Sequence, residues 1–349
     1  MRALGLDKPL VLVSLALVAF GLLALFSAGQ TDVPTSVATI WQKQLIWFVV
    51  GTVAAGLVFR VSPRILEWAT PGVYGAAIFL LFVTLLFGTG SGTAAGSKSW
   101  LAIAGLRIGQ PAELAKLALI LILARHLSAL REPPANLRDL LIPCALAGAP
   151  FLLVGLQPDL GSALVLVAIL FVMLYWAGVK PWLLVLLASP AVSLICAFNT
   201  WAWGAWIVAL FALLLWWRPY VWDGLAVMLV NVAMGVLALP VWQSLAPYQQ
   251  NRLLAFLNPE VDPRATGWHI IQSKVAIGSG GLLGKGFTLG SQKRLAFLPA
   301  QHTDFIFPVV GEELGFLGVL VALALFVTLL LVLIRIAQRA LDPFASLIV

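Results

Sequence analysis

Long apolar runs, broken at short intervals by charged or turn residues, fill most of this 349-residue chain. Crossing the hydrocarbon of a bilayer takes ~20 residues of helix. Runs of about that size predict spanning helices over 9–28, 44–60, 66–88, 111–130, 138–156, 162–178, 182–199, 203–218, 223–244 and 305–336. The runs are continuous and rich in Leu, Val and Ala, whereas barrel strands alternate in polarity, so a β-barrel is excluded. Pro71, Pro143, Pro150, Pro190 and Pro240 fall inside runs and are read as kinks. The last run is longer than one crossing needs, which predicts tilt or projection from the membrane. The expected fold class is an all-α polytopic membrane protein of about ten transmembrane helices. The pattern has one long interruption, the loop 245–304. No internal repeat or soluble linker divides the chain, so residues 1–349 read as one membrane domain.

Composition supports this. Hydrophobic residues make up 62% and charged residues 10%, with a mean hydropathy of +1.03; no soluble domain of this size hides so much apolar surface. The formal charge of +7 raises the question of nucleic acid, but the basic residues are scattered over many short loops and form no stripe, so nucleic acid is excluded as a partner. With the N-terminus in the cytoplasm, inner loops and ends hold Arg2, Lys8, Arg60, Arg64, Arg125, Arg131, Arg138, Lys180, Arg218, Arg335 and Arg339. The short outer loops hold Lys43, Lys98 and Arg107. This bias fixes the N-terminus inside and the long loop outside. Residues 9–28 read as an uncleaved first helix rather than a signal peptide. Trp201, Trp203, Trp206, Trp216, Trp217 and Trp222 read as an interfacial aromatic belt. Cys144 and Cys196 lie in apolar runs and read as inert thiols. Phe344–Val349 resembles the start of a further apolar segment, which suggests truncation.

The ionisable residues concentrate between Pro247 and Glu313, which holds six of the 21 Lys and Arg, five of the 14 Asp and Glu and two of the three His. Such crowding beside a bilayer suits the handling of a polar headgroup. Asp262 sits in Asn258-Pro-Glu-Val-Asp-Pro-Arg264, where two prolines hold the backbone extended. A carboxylate on a rigid loop near a low-dielectric boundary can serve as a base, though local sequence alone favours a plain turn. Glu113 and Lys116 lie three apart on one helix face, and Asp159 follows the fifth run. Charges at membrane depth must pair or face a wet cavity, so an ion pair of Lys116 with Glu113 or Asp159 and a functional role are both open. Gly278-Ser-Gly-Gly-Leu-Leu-Gly-Lys-Gly286 lacks the spacing of a nucleotide loop, but as a flexible loop its amides and lysines suit a phosphate. His302, Asp304, Glu312 and Glu313 match no zinc or hydrolase motif. A carboxylate-bound Mg²⁺ or Mn²⁺ is left open, and no cofactor is assigned.

His269-Ile-Ile-Gln-Ser-Lys-Val-Ala-Ile-Gly-Ser-Gly-Gly-Leu-Leu-Gly-Lys-Gly286, Leu298-Pro299, His302-Thr-Asp-Phe-Ile-Phe307 and Glu312-Glu-Leu-Gly315 together resemble the shape, elongation, division and sporulation family, and its elongation members most. Trp100, the run Gln110-Pro-Ala-Glu-Leu-Ala-Lys116 and Gln157-Pro-Asp-Leu-Gly161 extend the likeness over most of the chain. The resemblance implies a peptidoglycan glycosyltransferase of the bacterial cytoplasmic membrane, joining lipid II into glycan strands during elongation and shape maintenance. It implies partnership with a class B penicillin-binding protein, a transpeptidase, and a catalytic role for Asp262. Trp100, Arg107, Glu113, Lys116, Asp159, Arg264, Lys274, His302 and Asp304 are the substrate-binding candidates. Three departures stand out. Spans 203–218 and 223–244 look like an added pair, the Trp100–Gln110 interval is one residue long, and the family's C-terminal Pro-Leu-Pro and Ser-Tyr-Gly-Gly motif is missing. A lipid II flippase is the alternative, and a scaffold that only recruits the transpeptidase is a third reading.

Overall fold

The computed structural model describes residues 7–32, 37–90, 99–103, 106–245, 249–251, 254, 268–294 and 302–349. Among them run helices α1 (Lys8–Ala28), α2 (Ile40–Val58), α3 (Pro63–Phe87), α4 (Pro111–Ser128), α5 (Leu141–Leu156), α6 (Leu160–Trp176), α7 (Pro181–Cys196), α8 (Thr200–Trp217) and α9 (Val221–Ser244). An antiparallel hairpin, β1 (Leu101–Ile103) and β2 (Leu106–Gly109), precedes α4. Four more helices follow: α10 (Trp268–Gly280), α11 (Ser291–Arg294), α12 (Ile306–Arg339) and α13 (Pro343–Ile348). Every predicted apolar run therefore contains a helix, with ends displaced by a few residues. Among the described residues six helical stretches are long and apolar enough to cross a membrane: α1, α3, Leu137–Leu156, α8, α9 and α12. The apolar helices α6 and α7 are shorter. Helix α4 carries Glu113, Lys116 and Arg125, and α2 carries Gln42-Lys43-Gln44 near its start. Wide exposure of Trp47, Leu117, Val172 and Val208 would be a liability in water and is ordinary where lipid is the solvent.

The chain forms two compact units. One comprises Val61–Ser244 and Ala337–Val349. In it α4 packs on α3, α5, α6 and α13, and Leu81, Leu119, Leu123, Leu166 and Leu174 are sealed from solvent. Local chemistry sets the helix starts. Pro63 and Pro111 occupy first-turn positions that need no amide donor. Asn199 caps α8, accepting from the amides of Trp201 (3.0 Å) and Ala202 (3.2 Å). Helix α8 ends at Arg218 in a left-handed conformation (φ 48°).

Helices α8 and α9 both pack on α7, around Leu186, Leu210, Leu214 and Val227. A polar node locks them together. The buried Asn231 side chain donates from Nδ2 to Ser189 Oγ (2.8 Å) and to the Val227 carbonyl (2.9 Å). Trp206 Nε1 donates to Asn231 Oδ1 at 3.3 Å, and Trp203 Nε1 to Ser193 Oγ at 2.9 Å. Gly235 leaves room for the Trp203 ring, which a Cβ would overlap. Trp201, Trp216 and Trp222 are exposed, as a belt requires, but Trp203 and Trp206 are interhelical donors. Their indole N–H groups would lose a hydrogen bond in hydrocarbon, and Asn231 and Ser193 supply the acceptors.

The other unit comprises Met1–Arg60 and Leu245–Ile336. Helix α1 begins at Asp7, whose carboxylate accepts from the Leu10 amide at 3.2 Å, and α2 packs beside it. Ala28 of α1, Ala276 of α10 and Val309 of α12 form a small buried cluster. The expectation of one long final span needs correction, because α12 is broken at Gly315 (φ 64°, ψ −161°). Its interrupted amides and carbonyls are taken up by the segment after α10. Phe316 N donates to the Gly281 carbonyl (2.9 Å) and Leu317 N to that of Leu282 (3.2 Å). In return Lys285 N and Gly286 N donate to the carbonyls of Glu312 and Glu313, each at 3.0 Å. Broken helices persist at membrane depth only when protein satisfies the freed backbone groups in this way.

Candidate active site

The glycine-rich segment is a backbone clasp around this break. Gly281, Gly284 and Gly286 have φ of 58°, 80° and 105°, the region where only glycine is unstrained. A Cβ on Gly284 would overlap the Glu313 carbonyl, and one on Gly280 would overlap the Gly311 carbonyl. The phosphate-loop expectation is therefore corrected: the amides of Lys285 and Gly286 are already committed to α12. The Lys285 ammonium is committed too, to Glu312 Oε1 (2.7 Å) and Ser291 Oγ (2.8 Å).

Below the clasp lies a buried ionic network. Lys293 and Glu313 are sealed from solvent and form an ion pair. Lys293 Nζ also donates to the Ser27 carbonyl (2.6 Å) and to Ser27 Oγ (2.7 Å), while Ser27 Oγ donates to Glu313 Oε2. Glu313 further accepts from Thr288 N at 3.2 Å and Gly290 N at 3.4 Å. Glu312, equally buried, accepts from Lys285, Ser291 and Gln292. Burial pulls the Lys293 ammonium below its ordinary value, and the hydrogen bond and charge of Glu313 oppose that fall. Both carboxylates are engaged by protein donors, Glu312 mainly through Oε1 and Glu313 through both oxygens. Among the described residues no group of three His, Cys, Asp or Glu side chains stands close enough to hold a metal ion.

Of the site residues expected from sequence, Lys274, His302 and Asp304 belong to this unit. Lys274 is exposed on α10, and Asp304 is exposed just before α12. His302 is half-buried, and its Nδ1 has no hydrogen-bond partner among the described residues. Asp262 and Arg264 lie outside the described residues.

The remaining residues belong to the other unit. Trp100 pairs with Thr89 through two backbone hydrogen bonds (2.8 and 3.2 Å), and Arg107 of β2 pairs with Ala102 of β1. That hairpin delivers the chain to Gln110, the residue before α4. Gln110 Nε2 donates to Asp159 Oδ2 (2.6 Å) and lies 3.4 Å from Ser162 Oγ. Asp159 caps α6 through Ser162 N at 3.1 Å, so one carboxylate fixes the start of α6 against the start of α4. Lys116 pairs with Glu113, one turn away on α4, at 2.7 Å. The Glu113 side chain is 61% exposed and that of Lys116 19%. A pair so open is worth only ~0.3–0.5 kcal/mol of stability. Of the two partners open to Lys116 from sequence, Glu113 is the one engaged. The polar groups Gln110, Glu113, Lys116 and Asp159 thus gather where the hairpin enters the helical bundle.

Comparison with known proteins identifies the lineage. A model of the FtsW, RodA and SpoVE cell cycle proteins matches residues 8–204 and 192–349. This chain belongs to that family. It is 36% identical over 340 residues to the peptidoglycan glycosyltransferase MrdB of Escherichia coli K12, covering 97% of this chain and 78% of that protein. It is 35% identical to the peptidoglycan glycosyltransferase RodA of Treponema pallidum, covering 98% and 84%. Among solved structures, a chain of a peptidoglycan synthase complex that coordinates polymerization and crosslinking superposes with a TM-score of 0.67 at 32% identity, covering 99% and 82%. Rod shape determining protein RodA of Thermus thermophilus gives 0.59 at 27% identity, covering 100% and 80%.

Sequence reasoning missed the Lys293–Glu313–Ser27 network. The signal was present: adjacent acids at the mouth of an apolar run must find cations, and Lys285 and Lys293 were the near ones along the chain.

Proposed function

We propose that this protein is a membrane-embedded peptidoglycan glycosyltransferase that polymerises lipid II during cell-wall elongation. The observation that carries the reading is similarity over nearly the whole chain to relatives named for that activity. In our reading ten crossings place the N-terminus in the cytoplasm, and the loop 245–304 faces the outside of the cytoplasmic membrane. A class B penicillin-binding protein is the partner, in keeping with the likeness to a chain of a synthase complex.

The reaction joins a sugar 4-hydroxyl to the anomeric carbon of a neighbouring lipid-linked sugar. Asp262 takes the hydroxyl proton as the new C–O bond forms, and the bond to undecaprenyl pyrophosphate breaks with inversion. Charge grows on the leaving pyrophosphate, and cations aimed at it lower the barrier. We assign that role to Lys116, with Arg107, Arg264 and Lys274. The open Lys116–Glu113 pair supports this, because an ammonium held by a weak surface pair can be redirected to a phosphate at small cost. Trp100, Asp159, His302 and Asp304 are assigned to the sugar and headgroup, and Asp159 additionally orders the start of α6.

The test is a defined proteoliposome containing only this protein and lipid II, with glycan polymer and headgroup translocation measured together. Polymer formation is the expected result. Translocation without polymer would favour the flippase reading instead.

A further inference from the structure

We propose that Lys293 and Glu313 are positioning residues, holding the α10 anchor of the catalytic segment in register against α12 and α1. This inference rests on the polymerase reading for what is positioned, but the anchoring itself stands on the geometry of one unit.

Three observations carry it. First, the pair is a poor choice if stability were the only need. A sealed ion pair gives up the hydration of both charges, and apolar residues of similar volume are commonly as stable or more so. What a buried ionic group can provide instead is a unique register. Second, the pair joins three distant stretches of chain at one point. Lys293 reaches the end of α1 through both oxygens of Ser27. Glu313 belongs to the short part of α12 before its break, and it accepts from Thr288 and Gly290 of the clasp. Third, the clasp continues directly from α10, whose far end follows Asp262 by a few residues. Along its last turns α10 packs closely on α12. Its contacts with α12 are made by Ala276, Ile277 and Gly280 against Val309 and Gly311. The contact is close, with the Ile277 side chain against Gly311 and Gly280 against the Gly311 carbonyl. The backbone hydrogen bonds of 281–286 to α12 continue that contact, and Lys293 and Glu313 tie the following stretch, at Thr288 and Gly290, to α12 and to Ser27 of α1.

The path therefore runs from Lys293 through Glu313 to the 281–290 clasp, then to α10 and the segment before it. Neither residue touches substrate in this scheme. A displacement near 1 Å of a catalytic group costs up to about a hundredfold in rate, so a slack anchor lowers turnover without unfolding the protein.

The test is the neutral, near-isosteric double variant Lys293→Met/Glu313→Gln in nanodiscs, compared with wild type by melting, amide exchange and polymerisation. We expect a melting temperature equal to or above that of wild type, with exchange across 268–280 accelerated about tenfold or more. We expect kcat to fall between about tenfold and a hundredfold, with KM for lipid II unchanged within about twofold. The single variant Lys293→Met strands the Glu313 charge and melts lower, and adding Glu313→Gln restores melting but not turnover. Wild-type exchange across 268–280 in the double variant would overturn the proposal, as would a melting temperature below that of wild type, which would make the pair an ordinary stabilising contact. If wild-type protein forms no polymer, the polymerase reading fails by itself, and the exchange measurement still decides whether the anchor exists.

Discussion

At the scale of single residues, the chemistry divides between groups already committed to structure and groups left open. Lys285, Lys293, Glu312 and Glu313 are committed, each filled by partners on the same unit. Lys116 has a weak, exposed partner in Glu113. Lys116→Ala should therefore leave the melting temperature within about 1 °C of wild type, since an exposed pair contributes under ~1 kcal/mol. It should lower polymerisation by about tenfold or more through a poorer donor. Normal activity in Lys116→Ala would make the lysine structural. Gly284→Ala is the opposite kind of change. Its φ of 80° and the adjoining Glu313 carbonyl leave no room for a methyl group. Strain alone should cost about 1–3 kcal/mol, read as a lower unfolding midpoint in detergent. Residue-level legibility followed the same division. The Lys116–Glu113 pair was one of two partnerships the sequence left open, since helix spacing puts the two on one face but does not exclude Asp159. The clasp was not legible, because backbone amides bonding to backbone carbonyls leave almost no side-chain signature beyond the glycines themselves.

At the scale of elements, uninterrupted apolar runs made the helices legible, since backbone groups in lipid must be satisfied within the segment. The break in α12 was hidden for the same reason. Gly315 opens a long apolar stretch, and its rupture is repaired by residues 281–286, some thirty positions earlier in the chain. The α8–α9 pair shows a second limit. Six tryptophans at membrane depth match an interfacial belt by composition, yet Trp203 and Trp206 point to Ser193 and Asn231. This predicts that Asn231→Leu, which keeps volume but strands the Trp206 N–H and Ser189, destabilises the protein by about 1–3 kcal/mol. An unchanged melting temperature would show that lipid or water serves those donors equally well.

At the scale of the whole molecule, the topology we propose from the distribution of basic residues puts residues 245–304 outside. Cysteines placed singly in that loop and in the 131–136 segment give a direct check after Cys144 and Cys196 are replaced. A membrane-impermeant maleimide should label the first in intact cells and the second only after lysis. The central claim is chemical, however: an outward carboxylate at position 262 accepts the proton of the attacking sugar. The most direct measurement is glycan polymer formed from purified lipid II by wild type and Asp262→Ala, reconstituted at matched protein density. A general base is worth about 10²–10⁴-fold, so the variant should form polymer at least about a hundredfold more slowly while inserting and melting normally. Polymer from Asp262→Ala at a rate near that of wild type would contradict the account.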